Sequence, residues 1–146
     1  MAAGAEWCNT SLHKALTDEA GGYFNGATMQ IMLCNADNFI KGTHDFVADI
    51  VADELADASY ARKTLAAFDV ELNPASGQAI KFTATNPVWT ALAGAETVAV
   101  AYIFEFITSD ALSPLWWKLD GANIVTSGGD VTVTFDATDG IAAINT

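Results

Sequence analysis

An apolar run near the middle of the chain sets the strongest constraint on its fold. Its apolar part, Val98–Ile107, is about half the roughly 20 residues that a membrane-spanning helix requires, and Glu105 interrupts it. Such a run is typical of a strand buried on both faces, which needs other parts of the protein packed against each face. It extends from Glu96 to Thr108 and is dominated by Val98, Val100, Ala101, Tyr102, Ile103, Phe104 and Phe106.

Shorter segments on either side of this run have the alternating pattern of strands, with turn-forming residues between them. The turn-rich Asn73–Gly77 predicts a hairpin between two of them, and Trp89 is expected to anchor the core. About seven short strands and one or two short helices predict a single-domain β-sandwich or barrel over residues 1–146. The other predicted strands are Thr28–Cys34, Thr64–Leu72, Gln78–Ala84, Pro87–Leu92, Ser113–Leu119, Val131–Phe135 and Ile141–Ile144.

Two segments have the residue spacing of short helices. Asn9–Thr17 offers capping side chains followed by apolar residues on one helical face. Thr43–Ala58 has apolar residues at three- and four-residue intervals, which predicts an amphipathic helix. Its acidic residues are interpreted as the solvated face of that helix, in preference to a pair of catalytic carboxylates. Residues 1–10 are a candidate for a mobile N-terminal arm.

The charge balance excludes some classes of partner. The chain has 18 acidic against 6 basic residues, a formal net charge of −12, which disfavours binding to nucleic acid or to an anionic membrane. Its 146 residues, 51% of them hydrophobic, suit one domain with a substantial core. Met1–Trp7 lacks the features of a secretory signal, so we expect folding in a cytoplasm with Cys8 and Cys34 reduced.

Residues that commonly catalyse reactions or bind metals form no recognisable pattern. His13 and His44 lack the spacing of a zinc site, and there is no Gly-x-Ser-x-Gly motif. Asp136 and Asp139, followed by Gly140, lack the other ligands of a calcium loop and suit a turn. A triad assembled from distant residues stays open at this point. We expect a protein that is not an enzyme and has no cofactor and no metal.

The aromatic residues are the most distinctive candidates for binding. Trp116 and Trp117 are adjacent in a predicted strand, where successive side chains point to opposite faces. Either one indole is exposed as a contact site, or Thr43–Ala58 covers the second face; the sequence leaves both open. The candidate interface residues are Trp116, Trp117, Phe104 and Phe106.

Several motifs follow one another in a defined order from about Ser11 onwards. They are Met29–Leu33, Thr43–Ile50, Tyr60–Leu65, Trp89–Ala91, Ser113–Leu115 and Gly128–Asp136 with Gly140–Ile141. Their order and spacing together resemble a family of small virion proteins of tailed bacteriophages.

The resemblance implies a capsid decoration, or cement, protein that is made in the host bacterial cytoplasm and acts on the virion surface. Its partner would be the major capsid protein, which it would bind from outside as a homo-oligomer, without catalysis. The resemblance also confines the helix to about Thr43–Val51, with extended chain from there to Tyr60. Two alternatives stay open: a tail or fibre component, and a carbohydrate-binding β-sandwich that uses Trp116 or Trp117 to stack on a sugar.

Overall fold

The structure, a computed structural model, describes residues 5–7, 27–71, 81–136 and 142–145. These residues form ten strands and two single-turn 3-10 helices, which confirms the prediction of a mainly β, sandwich-like domain with one or two short helices. In chain order the strands are β1 (Ala5–Trp7), β2 (Met29–Cys34), β3 (Lys63–Thr64), β4 (Asp69–Glu71), β5 (Lys81–Thr83), β6 (Val88–Leu92), β7 (Thr97–Glu105), β8 (Leu115–Val125), β9 (Gly129–Phe135) and β10 (Ala142–Asn145).

The strands form one larger and two smaller antiparallel sheets. The larger sheet has the order β1-β8-β7-β2-β3, and a three-stranded sheet has the order β10-β9-β6. Strands β4 and β5 pair with Val70 opposite Phe82, as expected for the predicted hairpin. The turn predicted at Asn73–Gly77 lies outside the described residues.

The central apolar run forms β7, which lies between β2 and β8 in the larger sheet. Both faces of β7 are buried, since the residues from Val100 to Phe104 are at most 2% exposed. Ile103 belongs to the hydrophobic cluster on one face, and Tyr102 belongs to the cluster on the other. The prediction of a doubly buried strand is confirmed.

The first cluster fills the space between the larger sheet and the three-stranded sheet. Ile31 and Leu33 of β2 share it with Val131 and Val133 of β9, as their alternating positions predict. Trp89 of β6 is 1% exposed, and its indole N–H donates to the Ala61 carbonyl at 2.7 Å. Trp89 is therefore the predicted core anchor, with its one polar group satisfied.

A non-strand segment covers the second face of the larger sheet. Val47 and Ile50 of this segment are buried against Met32, Tyr102 and Phe104. Of the five apolar residues that the periodicity places inward, Val47, Ile50 and Leu55 are buried, whereas Phe46 and Val51 are each 37% exposed. The amphipathic helix predicted over Thr43–Ala58 is nevertheless wrong, because the chain forms only 3-10 turns at Val47–Asp49 and Val51–Asp53.

Hydrogen bonds to neighbouring segments explain why no longer helix forms here. The Val47 N–H donates to the Ser113 carbonyl at 3.0 Å, and the Leu55 N–H donates to the Leu33 carbonyl at 3.1 Å. Ile50 lies between the two turns with φ −126° and ψ −2°, outside the helical region. These N–H groups thus donate to carbonyls of other segments, where an α-helix would use the carbonyl four residues earlier in the chain. The shorter helix that the resemblance implies for Thr43–Val51 is absent for the same reason.

A register shift in β8 determines where the two adjacent tryptophans lie. Ile103 pairs with Trp117, but Phe104 pairs with Leu115, so Trp116 is an extra residue in its strand. Such a β-bulge interrupts the alternation of side chains between the two faces. Both indoles enter the first cluster, and their rings stack with centroids 5.8 Å apart. The expectation that they must point to opposite faces is therefore corrected.

The N-terminal predictions are only partly covered by the structure. Residues 5–7 of the predicted arm form β1, in which Trp7 lies opposite Trp117. The helix predicted over Asn9–Thr17 lies outside the described residues. None of the helices within the described ranges has the length and apolar character needed to cross a bilayer.

A second register shift in β8 creates a requirement for glycine. Val98 pairs with Ile124, whereas Val100 pairs with Asp120. A Cβ atom added to Gly121 would lie 2.2 Å from the carbonyl oxygen of Ala99. Because that oxygen belongs to the backbone of β7, the clash could be relieved only by moving the backbone of β7 or of β8.

We expect Gly121→Ala to lower the free energy of unfolding by about 3 kcal/mol through this overpacking. The matched control is Gly129→Ala, since a Cβ atom there has nothing within 4 Å, and its effect should stay within about 0.5 kcal/mol. Urea unfolding of both variants measures the difference. Equal stabilities of the two would contradict the close approach of β8 to β7.

Candidate functional site

A half-buried arginine joins two segments beside the larger sheet. The Arg62 guanidinium donates to both carboxylate oxygens of Glu54, at 2.8 and 2.7 Å, and to both oxygens of Asp110, at 2.6 and 3.0 Å. Its carbon Cζ also lies 5.4 Å from the centroid of the Phe104 ring, within the range of a cation–π contact. Arg62 thereby connects the loop between β7 and β8 to the segment that follows the 3-10 turns.

Tyr60 extends this network into the core. Its hydroxyl donates to Glu54 Oε1 at 2.9 Å and accepts the Leu33 N–H at 3.0 Å. Burial, followed by the negative charge of Glu54, raises the pKa of Tyr60, so the hydroxyl keeps its proton. The Tyr60 hydroxyl thus links β2 to Glu54, and the Arg62 guanidinium links Glu54 to the β7–β8 loop. Both side chains have a structural role.

The structure separates the four candidate interface residues. Trp116, Trp117 and Phe104 are 0%, 2% and 0% exposed, whereas Phe106 is 37% exposed. The β-bulge turns both indoles into the core, and the Val47–Asp49 segment lies over the face that carries Phe104. Neither indole presents a free ring face for stacking on a sugar. Of the four residues, Phe106 is the one that lies at the surface.

Three further apolar residues are exposed near Phe106, and sequence reasoning missed them. Phe46, Ile107 and Leu112 are 37%, 46% and 54% exposed. We call the set of Phe46, Phe106, Ile107 and Leu112 the loop-end surface. β7 ends at Glu105, so Phe106 and Ile107 are already outside the sheet. A strand that is buried on both faces is apolar at every position, so no change of pattern shows where it ends. The one signal that could have placed Phe106 and Ile107 outside the strand is their position close to the turn-forming Ser109–Ser113.

Hydrogen bonds hold the backbone of the loop-end surface in place. The buried Ser113 hydroxyl donates to the Ser109 carbonyl at 2.8 Å and accepts the Ile107 N–H at 3.3 Å. Phe46 lies opposite Pro114 in an isolated antiparallel bridge, and the Ala48 N–H donates to the Asp110 carbonyl at 3.1 Å. The covering segment and the β7–β8 loop therefore form one continuous surface.

The acidic residues expected on a solvated helix face have other roles. Asp49 Oδ2 accepts the backbone N–H groups of Asp45 and Phe46 at 3.0 and 2.9 Å, and Asp57 accepts those of Ser59 and Gly94. These carboxylates fix turns, as expected for Asp beside free N–H groups. No group of three or more possible metal ligands occurs within the described ranges.

The remaining candidates for chemistry are placed as follows. His44 Nδ1 accepts the Ile40 N–H at 3.2 Å, and its ring lies edge-on to Phe39. Cys34 is a free, buried thiol, as predicted for a small core residue. Cys8, His13 and the turn around Asp139 lie outside the described residues.

Comparison of the chain with protein-family models, curated proteins and solved structures finds no match. The resemblance to phage virion proteins therefore stays a prediction from motif order, and the function is argued from the molecule's own surface.

The Arg62 network generates a prediction about acid stability. Hydrogen bonds from Arg62 hold the pKa of Asp110 below its usual 3.8, so the folded state binds that proton more weakly than the unfolded state. The resulting stabilisation is complete above the usual pKa and is lost as the pH falls through the lower, folded pKa. We expect Arg62→Met to cost about 2 kcal/mol at neutral pH but to lose less additional stability in acid than the unaltered protein.

Urea unfolding at neutral pH and at about pH 3 measures this difference. Lys41→Met is the control, because it removes the same charge from an exposed side chain and should follow the unaltered protein. An identical acid-induced loss in Arg62→Met and the unaltered protein would contradict the assigned role of Asp110.

Cys34 supplies a separate prediction. Burial, the largest cause, and the nearby carboxylates raise the pKa of its thiol, so neither access nor thiolate formation favours reaction. In a Cys8→Ser variant, which leaves Cys34 as the one cysteine of the two in the sequence, we expect no reaction with a thiol-specific disulfide reagent at about pH 8 until urea is added. Rapid stoichiometric labelling of the native variant would show that this core position is open.

Proposed function

We propose that this chain is a bacteriophage capsid decoration protein that binds the outer surface of the major capsid protein lattice and stabilises the head. The observation that carries the proposal is the loop-end surface, where three exposed apolar side chains of the β7–β8 loop and Phe46 of the adjoining segment lie on a hydrogen-bonded backbone. Grouped exposed apolar residues on an otherwise packed domain are typical of contacts with another protein. Phe106, one of the residues selected from the sequence, belongs to this group.

The packing of the larger sheet supports an adhesive role. Both of its faces are covered by the chain's own side chains, so the loop-end surface is attached to a scaffold with little freedom to rearrange. A contact surface that is ordered before binding loses less conformational entropy on association. This property suits a protein that adds itself to many equivalent sites on one lattice.

The charge of the chain supports the same role. A formal net charge of −12 makes free copies repel one another and keeps them soluble before assembly. On the particle, homo-oligomers at symmetry axes multiply the small contact that each copy makes. The motif order that resembles tailed-phage virion proteins agrees with this location, and the proposed role requires no catalysis, cofactor or nucleic acid.

Sedimentation of the full-length protein with empty capsids of the phage that encodes it tests the proposal. We expect saturable binding at micromolar protein, with a fixed number of copies per capsid that reaches the hundreds. Absence of binding at this concentration would overturn the proposal. A handful of copies at one end of labelled virions would also overturn it, and would identify a tail component instead.

A further inference from the structure

Three carboxylates that have no cationic partner in the described part of the chain border the loop-end surface. Asp45 precedes Phe46, Glu105 precedes Phe106, and the exposed Asp49 accepts the N–H of Phe46. Within the described ranges, none of these three acidic residues takes part in an ion pair. The neighbouring Asp110 differs, because Arg62 neutralises it at 2.6 Å. The border of the surface therefore carries uncompensated negative charge.

Two of these carboxylates are also incompletely hydrogen-bonded. Asp45 Oδ1 and Glu105 Oε2 are inaccessible to solvent and have no hydrogen-bond partner among the described residues. A charged oxygen that is shielded from water and unpaired is unfavourable unless positive charge lies nearby. Arg62 is already engaged with Glu54 and Asp110, and among the described residues no Lys or Arg forms an ion pair with Asp45 or Glu105, so a binding partner can supply that charge.

We propose that the loop-end surface receives a basic segment of the major capsid protein. In this complex, apolar side chains of the segment pack on Ile107 and Leu112, the two most exposed residues of the surface. Lys or Arg side chains on either side of them lie near Asp45, Asp49 and Glu105. This inference rests on the proposed function and adds the site and the chemistry of the partner.

The charge of the border selects among the alternative occupants. Two copies of this chain meeting through the loop-end surface would bring their acidic borders together, which is electrostatically unfavourable. A nucleic acid would bring its phosphates to the same carboxylates. A cationic protein segment is the occupant whose charge complements the border and whose side chains can cover the apolar centre.

Serine substitutions at the two most exposed positions test the site. Ile107→Ser and Leu112→Ser should each weaken binding to empty capsids about tenfold or more, the effect expected at an apolar anchor. Val125→Ser is the matched control, because Val125 is 59% exposed and lies at the far end of the 11-residue β8, roughly 30 Å away along the strand. It should bind as the unaltered protein does, and near-ultraviolet circular dichroism checks that all variants are folded.

A second pair of variants tests the charge. Asp49→Asn removes the negative charge and keeps an oxygen that can accept the N–H groups of Asp45 and Phe46. Asp130→Asn makes the same change at the opposite end of the domain, where Asp130 Oδ1 also accepts a backbone N–H, that of Ala91. We expect Asp49→Asn to weaken capsid binding about threefold to tenfold and to reduce its salt dependence, and Asp130→Asn to change neither.

The outcomes separate this inference from the function on which it rests. Capsid binding by the unaltered protein that is unchanged in Ile107→Ser and Leu112→Ser would overturn the site and leave the function standing. Capsid binding that does not depend on salt and is unchanged in Asp49→Asn would overturn the claim that the partner segment is basic. A self-associated dimer that Leu112→Ser dissociates would assign the surface to a second copy. No capsid binding by the unaltered protein would overturn both proposals.

Discussion

The larger sheet depends on apolar cover for both of its faces, and this constraint organises the rest of the molecule. Ile103 of the central strand points into the cluster shared with the three-stranded sheet, and Tyr102 points into the cluster on the other face. A second sheet provides one cover. The other is provided by irregular chain that places Val47 and Ile50 against the sheet. The result is a three-layer arrangement in which the third layer is not a sheet.

The irregular layer also determines what the protein exposes. Its backbone bonds to the β7–β8 loop at Ser113 and Asp110, and Arg62 joins the same loop to Glu54. These bonds bring Phe46 beside the residues that follow β7 and so build the loop-end surface. The proposed adhesion is therefore a consequence of how the second face is covered, and not of a separate binding module.

The sequence predicts the strands well where one physical rule decides them. Strand β9 alternates strictly over Val131–Phe135, and β7 is apolar from Val98 to Phe104, so the sequence identifies both. The helix over Thr43–Ala58 was mispredicted because its N–H groups find partners in other segments, which periodicity does not reveal. The position of Trp116 depends on a bulge defined by pairing with β7, and the loop-end surface depends on where a doubly buried strand stops. Both are properties of tertiary pairing: the local sequence does not mark the bulge, and it marks the end of β7 only by an apolar pair beside turn-forming residues.

Hydrogen exchange of the free, full-length protein tests the central claim that the irregular layer belongs to the folded core. The amides of Val47 and Leu55 donate to Ser113 and Leu33, respectively, so their exchange should be slowed nearly as much as that of Ile103 in β7, within about a hundredfold. Exchange of Val47 and Leu55 close to the rate of an unfolded peptide, with Ile103 still protected, would contradict the claim. The second face of the sheet would then lack a stable cover.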